Sequence, residues 1–293
     1  MESILDEHMQ SITFVHQLAA ALKPGRNQVA SRQACKEFLV GRNEVNTDLI
    51  EPNRTLVLMD ATGSMGGLIG AAKAAVIQMF EDIYAELRAS DKASNFQMQF
   101  ACYRNYGDTP ERLLQYSPWA SNPTDLKVYM ATINASGGYG RDEAGEIGLW
   151  HANKEFERGG LAQVMLIGDA PCNLTREMVE KKRSCQPHVW NAHPDFKTSV
   201  FYKDEVDKLK DRHVPVHCFP VNKYVRTQFQ EISKKTGGDC KDLFQLASHS
   251  KDGAKLMKVI VVSRVLEKLG GSELRDNYRK KIKKSFGYLA DYC

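Results

Sequence analysis

Apolar residues near the start of the chain recur at helical spacing: Ile4, Leu5, Ile12, Val15, Leu18, Ala19 and Leu22 form one stripe, which Pro24-Gly25 ends. A second helix is predicted over 28–40, and Glu51-Pro-Asn-Arg54 reads as the junction to the main domain. Residues 1–50 are therefore expected to form a helical N-terminal extension, a hairpin packed on that domain. From Thr55 the pattern changes to short, uniformly apolar runs alternating with longer stretches of three-four spacing. Helices covering both faces of a sheet through βα units produce that alternation. Leu56-Val-Leu-Met59 is too short and too uniformly apolar for anything but a buried strand. Ile69, Ala72, Val76, Met79, Phe80, Ile83 and Leu87 then place a long helix over Gly66 to Arg88, directly after a glycine-rich turn.

Further on, Phe96, Met98, Phe100 and Cys102 alternate with Gln97, Gln99 and Ala101, which predicts a half-buried strand, antiparallel or near an edge, with Leu113 to Trp119 as its candidate partner. A short helix near 123–133, a glycine-rich loop at Ser136-Gly-Gly-Tyr-Gly140, a helix from about Asp142 to Phe156 and a buried strand over Ala162 to Gly168 come next. Pro171, Pro187 and Pro194 break the segment 170–198, which reads as a loop-rich insertion over one end of the sheet. The remaining elements are a helix over Val200 to Asp211 and a strand over Val214 to Val221 whose prolines suit an edge. After them come a helix over Tyr224 to Lys235, a short strand over Asp242 to Leu246, a helix over Gly253 to Leu269 and a basic helix from Glu273. The fold class is α/β: a Rossmann-like, mostly parallel central sheet with helices on both faces over 51–270, between the extension at 1–50 and the basic helix at 271–293.

Composition alters this picture little. With 42% hydrophobic and 26% charged residues, the 293-residue chain is an ordinary globular one. Forty Lys and Arg against thirty-six Asp and Glu leave a net charge of +4, too balanced for a dedicated nucleic-acid surface. No run approaches the roughly 18 apolar residues of a membrane span. The N-terminal residues Met1 to His8 are acidic, unlike a secretory leader, and the seven cysteines are scattered without a CxxC pair. Both features lead us to expect free thiols and a cytoplasmic location. The Asn-x-Ser/Thr triplets at Asn53, Asn134 and Asn173 are then chance occurrences.

The chemistry concentrates after the first strand. Asp60, Thr62 and Ser64 alternate in the tight turn at its carboxyl end, where an open α/β sheet places its ligand crevice. Asp169, ending the strand Val164 to Gly168, presents a second carboxylate at the same edge. Carboxylate and hydroxyl oxygens suit a hard cation, Mg2+ first, with Mn2+ or Ca2+ as alternatives. Helix capping by Thr62 or Ser64 would explain one hydroxyl, but not the whole set.

Asp60-x-Thr62-x-Ser64 resembles the metal-ion-dependent adhesion site (MIDAS) of von Willebrand factor A (vWA) domains. Tyr103-Arg-Asn-Tyr-Gly-Asp108, Gly137-Gly138, Glu143-Ala144 and Leu166-Ile-Gly-Asp-Ala-Pro171 extend the likeness over about residues 55–270, and are similar to the subgroup found beside atypical alpha-kinase domains. The resemblance implies a divalent cation at Asp60, Thr62, Ser64 and Asp169, its coordination completed by an acidic group of a protein partner. The family's third ligand falls on Tyr139 or Gly140, neither of which offers a good side-chain oxygen. Asp142 is the nearest carboxylate and Ser136 the nearest hydroxyl, with a bridging water as the further alternative. Asn105 stands where the subgroup has Asp, and Arg104 and Asp108 are expected to form a buried ion pair.

No glycine-rich phosphate loop with a following Lys is present, so the resemblance brings no kinase activity. The resulting expectation is a non-enzymatic, cation-dependent protein-binding module without catalytic residues. The alternatives are a Mg2+-dependent enzyme of phosphoryl chemistry, which would need Asp where Thr62 stands, and a vWA fold with a purely structural metal. Cys185, His188 and His193 are too irregularly spaced for a zinc site, and lack an obvious fourth ligand. Arg275, Arg279, Lys280, Lys281, Lys283 and Lys284 surround the apolar row Leu274, Tyr278, Ile282, a face able to meet an anionic surface, although nucleic acid is not the expected partner.

Overall fold

The computed structural model describes residues 53–89, 96–243 and 252–286. The N-terminal helical extension expected over 1–50 lies outside them. The first strand, β1 (Asn53–Asp60), leads through a 3-10 turn at Gly63–Gly67 into α1 (Ile69–Ala89). Next come β2 (Phe96–Tyr103), α2 (Pro110–Leu113), β3 (Leu114–Tyr116), α3 (Pro123–Ala131), α4 (Gly145–Gly159) and β4 (Gln163–Gly168). The chain continues through α5 (Thr175–Ser184), α6 (Pro187–Ala192), α7 (Tyr202–Asp211), β5 (Val216–Pro220), α8 (Arg226–Thr236) and α9 (Asp252–Phe286).

The sheet runs β3-β2-β1-β4-β5, with β3 antiparallel and every other pairing parallel. This is the Rossmann-like α/β fold expected. Its successive side chains explain why the strands read as unbroken apolar runs: Val57 and Met59 of β1 enter one core, and Leu56 and Leu58 the other. On the first face α1 packs Val76, Met79, Phe80 and Ile83 beside Val261, Val262, Val265 and Leu266 of α9. On the second, Leu149 of α4, Val206 and Leu209 of α7, and Phe229 and Ile232 of α8 cover the sheet.

Several expectations need correction. β2 pairs antiparallel with β3 next to the sheet edge, as expected, but it is also parallel to β1 and buried rather than half-buried; its polar Gln99 is satisfied by the His151 ring at 2.9 Å. Segment 170–198 holds two helices, α5 and α6, because Met178, Trp190 and Phe196 bury themselves with Tyr106 and Ile147 in a third apolar cluster. In place of the strand expected from Asp242, the described residues show an isolated bridge between Cys218 and Cys240, and 244–246 lie outside them. β5, which ends on Pro220 and follows Pro215, does stand at an edge. No helix of the described residues is long and apolar enough to cross a membrane.

Candidate functional site

Strand order reverses at β1, where β2 leaves on one side and β4 on the other, so the carboxyl ends of β1 and β4 flank the switch point at which such sheets bind ligands. Met59 pairs with Ile167, which brings Asp60 at the end of β1 beside Asp169 just beyond β4. The four residues form one hydrogen-bonded chain. Asp60 Oδ1 accepts from the Thr62 backbone N–H (2.8 Å) and hydroxyl (2.7 Å), the Thr62 and Ser64 hydroxyls lie 3.1 Å apart, and Ser64 Oγ donates to Asp169 Oδ1 at 3.1 Å. Thr62 stands at the N-cap of the 3-10 turn without capping it through its side chain. Its hydroxyl is committed to the site instead.

Asp60 is fully buried, and its second oxygen, Oδ2, has no hydrogen-bond partner. Burial pushes its carboxyl up to about 7, with Asp169 adding to the rise and the hydrogen bonds from Thr62 opposing it. An orphaned buried carboxylate oxygen is costly, and a hard divalent cation is the kind of group that satisfies one. The donor set of carboxylates and hydroxyls fits such an ion.

The glycine-rich loop closes over this cluster. Ser136 N–H donates to Ala61 O (3.0 Å) and Gly63 N–H to Gly137 O (3.1 Å). Gly138, at φ +101°, is required by its surroundings: a Cβ there would fall 2.9 Å from Glu143 Oε1 and 3.3 Å from Thr62 Cβ. Glu143 therefore faces the site from the loop side, a residue that motif spacing did not single out as a ligand. Its backbone is fixed to the loop after Asp169, with N–H to Pro171 O at 2.8 Å and O accepting from Asn173 N–H at 2.9 Å. Burial pushes the Glu143 carboxyl up to about 8, Asp60 and Asp169 raising it further while Lys181 and Asn105 oppose. Its Oε2 accepts from Asn105 Nδ2, which also donates to Asp142 O (2.7 Å) and Tyr139 O (2.9 Å). Asn at position 105 supplies N–H groups that the Asp expected by resemblance lacks.

The other predicted residues are placed differently. Asp142 Oδ1 accepts from the Tyr224 hydroxyl. Ser136 Oγ accepts from Arg112 at 2.6 Å. The expected Arg104–Asp108 pair does not form. Arg104 instead donates to the carbonyls of Ser136, Asn134 and Arg112 and to Gln115, which shapes the loop, and Asp108 meets Arg112 (3.4 Å) and the Gly138 N–H (3.1 Å). Behind the loop, Glu146 is buried against the Tyr106 hydroxyl (3.0 Å) and Asn173 (3.0 Å).

Among the described residues no group of three or more His, Cys, Asp or Glu is arranged to hold a metal ion by itself. Any cation at the sheet edge would thus depend on the two hydroxyls and on water as well. His193, one of the residues considered for zinc, stacks on Phe196 with ring centres 4.6 Å apart and accepts backbone N–H groups at Nδ1. The basic C-terminal helix uses part of its charge internally: Arg275 pairs with Glu267 and Asp276, and Lys281 with Glu86 at 2.8 Å.

The molecule is thus a Rossmann-like α/β domain with a carboxylate–hydroxyl cluster at its switch point, in which Asp60, Thr62 and Asp169 are buried and Ser64 is exposed. No protein-family model and no curated protein matches the chain. Among solved structures, the pilus adhesin SpaC from Lactobacillus rhamnosus GG, in its open conformation, is similar over 76% of this chain, with 11% identity and a TM-score of 0.50. A second structure of that adhesin gives the same identity and score. The matched part is 31% of the adhesin's own length. At this identity the likeness establishes the fold alone.

Proposed function

We propose that the chain is a divalent-cation-dependent protein-binding module of vWA type, with Asp60, Thr62, Ser64 and Asp169 forming a MIDAS-like site. The observation that carries this reading is the hydrogen-bonded chain through those four residues, which ends on a buried Asp60 oxygen without a partner. The Thr62 and Ser64 hydroxyls would supply neutral oxygens to the cation and Asp60 and Asp169 would balance its charge, with Glu143 facing the cluster from the loop side. Bound there, Mg2+ supplies a positive centre at which a carboxylate of a partner can replace water.

The reading is non-enzymatic. Aspartyl-phosphate chemistry would need an acid where Thr62 stands, and the Thr62 hydroxyl is bonded to Asp60. The five described cysteines are free, in keeping with a cytoplasmic setting. The occurrence of a similar fold in an adhesin is compatible with a binding role.

The test is capture of partners from the source cell's extract in Mg2+ and again after chelation, beside assays of phosphatase and ATPase turnover. Capture is expected in Mg2+ only, and its loss in Ser64→Ala with an unchanged circular dichroism spectrum. Turnover that disappears in Asp60→Asn, without chelator-sensitive capture, would replace the binding module with a phosphoryl-transfer enzyme.

A further inference from the structure

Six large apolar side chains are exposed among the described residues, and three stand on loops around the carboxylate–hydroxyl cluster: Tyr139 (47%), Leu174 (50%) and Tyr224 (40%). A fourth, Val179, lies on α5, the helix after Leu174. Chance scatter of exposed apolar residues is ordinary, but this grouping is built. Asn222 Nδ2 donates to Asp169 O at 2.6 Å, and its Oδ1 accepts from the Tyr224 N–H at 2.8 Å, which ties the tyrosine to a residue of the site. The Tyr224 hydroxyl is anchored on Asp142, and the Arg141 guanidinium lies 4.1 Å from the centre of its ring. Tyr139 follows Gly138, where a Cβ would meet Thr62 and Glu143, and its carbonyl is held by Asn105. Leu174 N–H is held by Glu177 at 3.2 Å. The Tyr224 ring and the Tyr139 and Leu174 backbones are therefore held before any partner arrives.

We propose that Tyr139, Arg141, Leu174 and Tyr224 form the rim of a docking surface for a peptide segment whose acidic residue is flanked by aliphatic or aromatic side chains. The inference rests on the cation-binding reading above and adds to it the chemistry on either side of the partner's acid. Charge complementarity selects this occupant: Arg141 is an exposed cation at the rim, and beside a cluster that would hold a divalent ion it favours an anionic centre. The apolar rim, meanwhile, offers nothing to a segment that is charged throughout. Rigid Tyr with Arg is also the composition that concentrates binding energy at interfaces. The rim gives Asp142 a role as the anchor of Tyr224.

The test pans a phage library of heptapeptides with a fixed central Asp or Glu and random flanks on the whole chain in Mg2+, eluting with EDTA. Mg2+-induced changes in thermal melting are recorded in parallel. Selected peptides are expected to carry Leu, Ile, Phe or Trp next to the acid, and to lose on the order of 10-fold or more in affinity with Tyr139→Ala and with Tyr224→Ala. Both variants should keep the Mg2+-induced rise in melting temperature. Peptides without apolar flanks, peptides indifferent to both substitutions, or no peptide from a chain that does respond to Mg2+ would overturn the docking surface while leaving the cation site standing. A chain with no response to Mg2+ would instead overturn the cation-binding reading, and this inference with it.

Discussion

The two oxygens of Asp60 are in opposite situations: Oδ1 accepts two hydrogen bonds from Thr62, and Oδ2, equally buried, accepts none. Much of the site's behaviour arises from such buried acids. Glu146 shows it without involving the cation site, since burial pushes its carboxyl from an ordinary 4.5 up to about 7. A folded-state value above the unfolded one means that the folded chain keeps a proton the unfolded chain has released. The stabilisation is complete below about pH 4.5 and is lost as pH rises through about 7. Asp60 and Glu143 shift in the same direction. Urea denaturation without divalent cations should therefore show stability falling from pH 5 to pH 8, with a shallower fall in Glu146→Gln. Equal slopes in the two proteins would show that Glu146 is ionised throughout. Asp60, Thr62 and Ser64 were legible in the sequence because their spacing is local and falls at a strand end. Glu143 and the Tyr224–Asp142 contact were not, because each depends on loops brought together from distant parts of the chain.

At the scale of elements, apolar runs identified the strands, but their direction and neighbours were less accessible. The alternation Phe96 to Cys102 suggested a half-exposed strand, yet Gln99 is buried because His151 of α4 meets it. Such cross-element pairing is not visible in periodicity. Among the prolines of 170–198, Pro187 marks a helix start rather than a break. The break between the last two helices was legible, and it falls at Gly271, with φ 74° and ψ −174°, inside the 35-residue span of α9. Only glycine populates that region readily. A side chain there meets no steric obstacle, so the cost is purely that of the backbone. Gly271→Ala should lower the unfolding free energy by roughly 1–3 kcal/mol, read from urea denaturation. Unchanged stability would mean that the helices can meet through another backbone conformation.

For the whole molecule, the sheet order β3-β2-β1-β4-β5 makes the ends of β1 and β4 neighbours across a switch point, and the loops after β4 and β5 build the wall around them. The fold thereby joins Asp169 to three residues of the turn after β1 in a single cluster, across a separation of 105 positions from Ser64. A cation that binds the folded cluster and not the unfolded chain must stabilise the protein by linkage, by about 2.7 kcal/mol at one hundred times its dissociation constant. The most direct measurement is the thermal unfolding midpoint of the chain and of Asp60→Ala across a Mg2+ titration. The account predicts a saturable rise for the natural sequence, reversed by a chelator, and no rise for Asp60→Ala; equal responses in the two proteins would contradict it.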